Sequence, residues 1–298
     1  SCPRQCLLLA PPRKFCLLPR YRARVTLSKY KLFLEKLAKK GRSTCSWGMC
    51  LIAFRLNDHS RYRLLLVANR DEFYRRPTVP AAFHSNDFVF SGRDLMGGGT
   101  WLGVNRLGHV AALTNIRHPD FFKPARRSRG ELVLEFLQSG LGPMAFMERI
   151  RSVSHLYGGF NLLLFSDKDA IAFHSATGEL ARVLDGTHAL SNHALNTDWP
   201  KVKKARQLLS DLTASPEELI TAFTDTEQAP DDELPDTGIG QEHERLLSSL
   251  FIRSEIYGTR STTLVTISHD GEVVMHERSH VPVGEARMQF FVKESAVQ

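Results

Sequence analysis

Residues 49–73 read MCLIAFRLNDHSRYRLLLVANRDEF, and the reading of this stretch decides the fold. Residues 51–54 and 62–68 are short apolar runs separated by polar turn residues, the pattern of two strands joined by a loop. The first strand opens on Met49 and Cys50, and the second ends in Asn69, Arg70, Asp71 and Glu72. Such a strand end can bring Arg70 and Asp71 beside the start of the first strand. A guanidinium there favours a thiolate, and a carboxylate there can accept a hydrogen bond from an ammonium. If Met49 is an initiator and is excised, Cys50 carries both a thiol and an α-amine. An α-amine titrates near 7.7–8.0 and can act as base for its own side chain. The plainer reading is a buried small hydrophobe at Cys50 and a solvated turn with a surface ion pair at 69–72.

Working outward, further strands are expected at 88–91, 100–105 and 109–114, followed by helices at 130–138 and 142–153. Strands follow at 160–165 and 170–175, then helices at 199–212 and 216–223, with Pro200 suited to a first helical turn. Residues 224–240, rich in Asp, Glu, Pro and Gly, read as a loop, and 241–252 as a weaker helix. A closing hairpin is expected from 261–268 and 272–277 around Asp270 and Gly271. Strands and helices come in blocks, which favours antiparallel sheets covered by helices over an alternating βαβ fold.

Charge and cysteine divide the chain of 298 residues. Residues 1–48 hold twelve Lys or Arg and a single acid, Glu35, whereas 49–298 hold 27 basic and 31 acidic residues. The excess of positive charge is a property of the leader, so the body has no composition for a nucleic-acid surface. The leader is basic and acid-poor, and 30–40 is locally amphipathic, the profile of a transit peptide. A translated upstream region before Met49 and a basic disordered arm are the other readings. All three leave residues 49–298 as the domain. Cys2, Cys6, Cys16, Cys45 and Cys50 are the five cysteines, so a disulfide framework in the body is excluded. No apolar run approaches the roughly 20 residues of a membrane span.

Other motifs carry weaker signals. The glycines at 97–99 lack the Gly-Lys-Ser/Thr ending of a phosphate loop and read as a tight turn with close backbone approach, with Trp101 in the core or as a pocket wall. Asn115 and Asn192 each end an apolar run, where a carboxamide can donate to an oxyanion or form a turn. Arg260 precedes the closing hairpin as an anion anchor or an edge charge. The twelve histidines show no HExxH or HxH pairing, so no metal site is expected.

In order and spacing, Met49–Cys50, ANRDEF at 68–73, GGTWLG at 98–103, AALTN at 111–115, RGELV at 129–133, GFNLL at 159–163, LSN at 190–192, YGTR at 257–260 and ERS at 277–279 resemble the NRDE family. Its eukaryotic branch is the transport and Golgi organisation protein 2 homologues. The family is similar to N-terminal nucleophile hydrolases, so the resemblance implies an α+β fold, an αββα four-layer sandwich. Residue by residue it implies Cys50 as the nucleophile, Arg70 and Asp71 beside it, Asn115 and Asn192 as oxyanion and amine-holding asparagines, and Arg260 as the distal arginine. Those hydrolases usually separate the Arg and Asp that are adjacent here, so the acid facing the amine stays open between Asp71 and Glu72.

The resemblance implies two functions. The first, given the greater weight, is a factor in Golgi organisation, secretion and lipid or haem homeostasis whose pocket holds an acyl, acyl-CoA or haem-type ligand. The second is an active cysteine amidohydrolase or thioesterase acting through Cys50. No cofactor for catalysis is expected. Haem enters as cargo, with Cys50, His188 and His193 as axial candidates, and Arg70 and Arg260 are candidates for the phosphates of an acyl-CoA. The expected location is cytoplasmic or mitochondrial, with Golgi association open and secretion excluded. Peripheral membrane contact stays open.

Overall fold

The computed structural model describes residues 48–84, 87–121, 125–211 and 215–292. The leader expected at 1–48 lies outside the described residues except for Gly48. Strands β1 (Met49–Leu56) and β2 (Tyr62–Phe73) form the expected hairpin, with Cys50 opposite Arg70 and Ile52 opposite Ala68. The chain then builds a second sheet from β3 (Thr78–Phe83), β4 (Val89–Asp94), β5 (Leu102–Asn105), β6 (Val110–Asn115), β7 (Phe160–Phe165), β8 (Ala170–His174) and β9 (Glu179–Arg182), paired in sequence order. It returns to the first sheet as β10 (Gly186–Leu190), beside β1, and as β11 (Tyr257–Ser268), beside β2, with β12 (Glu272–His280) and β13 (Val283–Phe291) following outward from β11. All the pairings between these strands are antiparallel.

Helices cover both outer faces. Between β6 and β7 lie α1 (Gly130–Ser139) and α2 (Pro143–Ile150), and between β10 and β11 lie α3 (Pro200–Ser210), α4 (Pro216–Ala222) and α5 (Gln241–Leu246). Side-chain alternation explains the layering. On β1, Ile52 and Phe54 pack between the sheets with Leu66, Val104, Phe165 and Met275. Leu51 and Ala53, on the opposite face, pack with Leu65, Val67, Val202, Leu209 and Phe223 under α3 and α4. A third core joins Phe136, Leu137 and Phe146 of α1 and α2 to Leu162 and Phe173 of the second sheet. The central strands of each sheet are thus buried on both faces, which is why β1, β2 and β7 read as continuous apolar runs. The result is the four-layer αββα sandwich, in which each fully buried Leu or Phe contributes about 1.5–3 kcal/mol.

Some expectations are corrected. The helix expected over 142–153 ends at Ile150 and continues as a 3-10 turn, Arg151–Leu156, where the Ser154 hydroxyl donates to the Arg151 carbonyl. The helix expected over 241–252 ends at Leu246, because the Ser248 and Ser249 hydroxyls donate to the carbonyls of Arg245 and Phe251. Local bonds of this kind compete with helix propagation. β3, β9, β10 and β13 were not expected. β13 is an edge strand that buries only Met288, so its sequence, VGEARMQFF, shows little of the apolar signal. Among the described residues no helix is long and apolar enough to cross a membrane.

Candidate functional site

The polar tetrapeptide is strand, not turn. Asn69, Arg70, Asp71 and Glu72 all lie within β2 and all are buried. Alternation splits them between the two faces. Asn69 and Asp71 point toward the helices, where the Asn69 carboxamide donates to the carbonyls of Phe223 and Leu250 at 2.9 and 2.8 Å. Arg70 and Glu72 share the inner face with Cys50, at the end of the sandwich where the two sheets part.

A cavity of about 210 Å³ opens there, lined among others by Gly48, Cys50, Arg70, Asp71, Trp101 and Asn115. Arg70 lies with its guanidinium 4.2 Å from the Trp101 ring centre and donates to the Thr78 hydroxyl at 3.2 Å. Trp101 is therefore a pocket wall. Its ring lies so close to Gly92 that a Cβ at that position would sit 2.3 Å from it. On the same side, Arg76 binds Asp94 through Nε at 2.8 Å and Nη2 at 2.7 Å, and lies 3.5 Å from Glu72. Asp94 also accepts from the backbone N–H groups of Met96 and Gly97. Burial works against ionisation of Asp94, but the Arg76 bonds outweigh it and hold the carboxyl below its ordinary range. The glycine turn is held against α1: a Cβ at Gly99, where φ is +80°, would meet the Gly130 carbonyl at 2.3 Å.

Cys50 is 8% exposed, and its thiol is pushed up to about 12. Burial is the largest cause, the Asp71 charge the next, and Arg70 pulls the other way without prevailing. In the chain with residues preceding it, this sulfur is a protonated thiol at neutral pH. Asp71 is itself raised by burial, against the opposing pull of Lys201, a hydrogen bond from the Thr259 hydroxyl at 2.5 Å, and Arg70.

Asn115 lines the cavity, and its Nδ2 donates to the Gly48 carbonyl at 2.7 Å. Asn192 is fully buried outside the cavity lining. Its Nδ2 donates to the Asn115 carbonyl at 2.8 Å, and its Oδ1 accepts from Ser191. Arg260 is the extra residue of a bulge, since Thr259 pairs with Asp71 and Ser261 with Arg70. Its guanidinium donates to the carbonyls of Val281, Phe73 and Arg76, tying three segments behind the cavity. The structure therefore brings Cys50, Arg70, Asp71 and Asn115 to one cavity, with Asn192 and Arg260 bracing it from outside. His188 and His193 do not line it. His188 stacks on Phe54 and bonds the Leu184 carbonyl, and His193 bonds Thr197.

The family model described as Transport and Golgi organisation 2 matches residues 49–282. The chain belongs to that family. Among its relatives, a Transport and Golgi organization protein 2 homolog of Bos taurus is 36% identical over 279 residues, covering 84% of this chain and all of the relative. The Homo sapiens homolog is 36% identical over 257 residues, covering 78% and 93% of the two chains. A Transport and Golgi organization protein 2 of Drosophila melanogaster is 40% identical over 75 residues, which is 23% of this chain and 25% of that one. Of solved structures, the C2A mutant of conjugated bile acid hydrolase from Clostridium perfringens covers 83% of this chain and 93% of its own, at 11% identity and a TM-score of 0.36.

In this Transport and Golgi organisation 2 family member, sequence reasoning passed over several residues that shape the site. Buried Arg76 and half-buried Asp94 form the ion pair beside Arg70. Arg117 and Glu244 form another at 2.9 Å behind the site, with Arg117 also 4.4 Å from the Trp199 ring centre. Lys201, from the first turn of α3, is 2% exposed. Charged residues inside a helical or loop pattern read as solvated, and only their burial in the fold reveals them.

Proposed function

We propose that the chain acts as a Transport and Golgi organisation 2-type factor that holds an acyl ligand at the Cys50 end of the sandwich, in support of Golgi organisation, secretion and lipid homeostasis. The observation that carries this reading is the Cys50 thiol: it lines the cavity yet is kept protonated by burial and by Asp71, a group suited to contact rather than attack. The cavity wall supports an acyl or acyl-CoA class of ligand. Arg70, stacked on Trp101, offers a positive charge beside an apolar ring, and Met96 and Leu113 add apolar surface. A volume of about 210 Å³ lies below the roughly 300–1,000 Å³ of usual ligand pockets. It suits the carbonyl end of a ligand whose remainder stays at the mouth. The same volume argues against a whole porphyrin, and His188 and His193 are not among the cavity-lining residues, so haem is the less supported cargo. A cytoplasmic or mitochondrial location, with Golgi association, is part of the same proposal.

A second reading is the cysteine amidohydrolase or thioesterase, and one observation favours it. The strand register sets residue 49 opposite Asp71, whose Oδ2 has no hydrogen-bond partner among the described residues. If Cys50 became the first residue, its α-amine would lie next to that carboxylate, which can accept a hydrogen bond from it. The α-amine would then take the thiol proton as the sulfur attacked a carbonyl, and return it to the leaving group.

One experiment separates them. Palmitoyl-CoA and a simple fatty acyl amide are titrated calorimetrically into the full chain, its Cys50→Ala and Arg70→Met variants, and a form whose mature N-terminus is Cys50. Each mixture is also followed by intact mass. The carrier reading expects equal binding by wild type and Cys50→Ala, binding at least tenfold weaker in Arg70→Met, and no turnover. A transient acyl mass on Cys50, absent from Cys50→Ala, establishes the hydrolase instead. Neither binding nor turnover by any form removes the cavity from consideration.

A further inference from the structure

Behind the sheet, on the face to which the Asp71 side chain points, lies a buried lysine that neither reading above uses. Asp71 points there from β2 and is fully buried. Lys201 reaches the same layer from the first turn of α3, next to Val202, which packs against β1 and β2. Lys201 is 2% exposed, and its ammonium has no hydrogen-bond partner among the described residues. Asp71 spends Oδ1 on the Thr259 hydroxyl and leaves Oδ2 equally unpartnered. A buried ammonium without a hydrogen bond is costly: burial pushes the Lys201 amine down to about 8, and a nearby opposite charge works against that loss of the proton. Arg117 cannot compensate it, being positive and already paired with Glu244 at 2.9 Å. The complementary charge within the layer is Asp71: burial pushes its carboxyl up to about 7, and each of the two groups opposes the effect of burial on the other.

We infer that Lys201 is a positioning residue for the candidate site, the buried counter-charge to the Asp71 carboxyl from the helix side of the sheet, and that this pair sets the charge beneath Cys50. The inference rests on the Cys50, Arg70 and Asp71 corner being the working site. It assigns to α3 a part in that site that no cavity-lining residue supplies. The groups that face Asp71 are Lys201 from α3, Cys50 from β1, Arg70 and Glu72 on its own strand, Tyr74 just beyond it, and Thr259 from β11. Those that face Lys201 are Asp71, Cys50, Arg117 and Glu244. Among them Lys201 is the cation on the Asp71 side of the sheet with no ion-pair partner within 4 Å among the described residues, since Arg117 is committed to Glu244 and Arg70 lies on the inner face.

With Asp71 ionised, the Lys201 ammonium is favourable. With Asp71 neutral, the same ammonium is a buried charge with nothing opposite it. Replacing Lys201 by Met, close to it in length, therefore harms the wild type but helps an Asp71→Asn background. A lysine that merely fills space would cost the same in both. At Cys50 the effects are also opposed: Asp71→Asn removes a repulsion and leaves the ammonium, which lowers the thiol pKa, and adding Lys201→Met raises it again.

The test is a set of four full-length proteins: wild type, Lys201→Met, Asp71→Asn and the double variant. Thermal midpoints are measured from pH 5 to 9, and the rate of Cys50 alkylation by iodoacetamide is read by peptide mass over the same range. Lys201→Met is expected to fall progressively further below wild type as pH rises, and the double variant to lie above Asp71→Asn. Alkylation of Cys50 at pH 8 is expected to be several-fold faster in Asp71→Asn than in wild type, and to slow again in the double variant. If Lys201→Met does not fold, recovery of folding in the double variant still supports the inference, and failure to recover overturns it. Equal midpoint losses in both backgrounds, or identical alkylation profiles for Asp71→Asn and the double variant, also overturn it. No ligand or turnover enters these measurements. Loss of the charge coupling therefore sinks this inference alone, and loss of ligand binding at the cavity sinks the functional reading alone.

Discussion

At the scale of single residues, the site is built by buried charges whose partners come from distant parts of the chain. Arg117 and Glu244 are both about 2% exposed and 2.9 Å apart, and Glu244 also accepts from the backbone N–H and hydroxyl of Thr237. Truncation of one member leaves the other as an uncompensated interior charge, a loss of about 3–5 kcal/mol. Glu244→Ala is therefore expected to lower the urea unfolding free energy by that amount, whereas a surface pair such as Arg278 with Glu285 should give under about 1 kcal/mol on the same measurement. Gly99 is as constrained sterically as these are electrically. Its φ of +80° and the 2.3 Å approach of a Cβ to the Gly130 carbonyl mean that Gly99→Ala must move backbone. Forcing a side chain into such a conformation costs on the order of 1–3 kcal/mol, and the clash adds to it. A thermal midpoint unchanged in Gly99→Ala would show that the turn and α1 are not locked together as described.

At the scale of elements, the hairpin of β1 and β2 does two jobs with one alternation. Its inner face supplies core residues at Ile52, Phe54 and Leu66 and then, without leaving the strand, Cys50 and Arg70. Its outer face supplies Leu65 and Val67 to the helix layer and then Asp71. A one-residue slip would exchange the faces and carry the thiol to the wrong side. The sequence made both strands legible because they are apolar, but 69–72 read equally well as a turn. Pairing with β11 keeps that segment extended, and β11 lies nearly 200 residues on. The second sheet depends on α1 in the same way. Phe136 is fully buried and contacts Phe146 edge-on, with ring centres 5.3 Å apart. Phe136→Ala is expected to cost about 3–5 kcal/mol in chemical denaturation. Because α1 also backs the glycine turn through Gly130, the same variant should loosen the cavity mouth, read as faster hydrogen exchange over residues 97–101.

At the scale of the whole molecule, the pH response combines groups of opposite sign. Histidines 84, 109, 174, 188, 193, 276 and 280 are lowered, chiefly by burial, so their contribution is lost as pH falls. Glu277 is raised, with burial the main cause, although its carboxylate accepts from the Ala81 N–H at 2.7 Å. A carboxyl whose folded pKa lies above its unfolded one contributes stability below the ordinary Glu value, and that contribution is lost as pH climbs through the raised one. Comparing Glu277→Gln with wild type isolates this group from the histidines. The urea midpoint of the variant should gain on wild type as pH rises from about 4.3 toward neutrality, and a constant offset across that range would contradict the assignment. The position matters because Glu277 ties β12 to β3, one of the links between the two sheets.

The sequence by itself determined the hairpin, the blocks of strands and helices that made a layered α+β fold, and the family, because apolar periodicity and ordered motifs are local properties of the chain. It also marked Cys50, Arg70, Asp71 and Asn115, four residues that the fold brings to the lining of one cavity. Only the tertiary structure decided which polar residues are interior and what faces them. Lys201, Arg117 and Glu244 sit in segments whose composition reads as solvated, and Arg260 owes its direction to a bulge. The physical reason is that burial and charge pairing depend on contacts between residues far apart in the chain. No window along the sequence contains both partners.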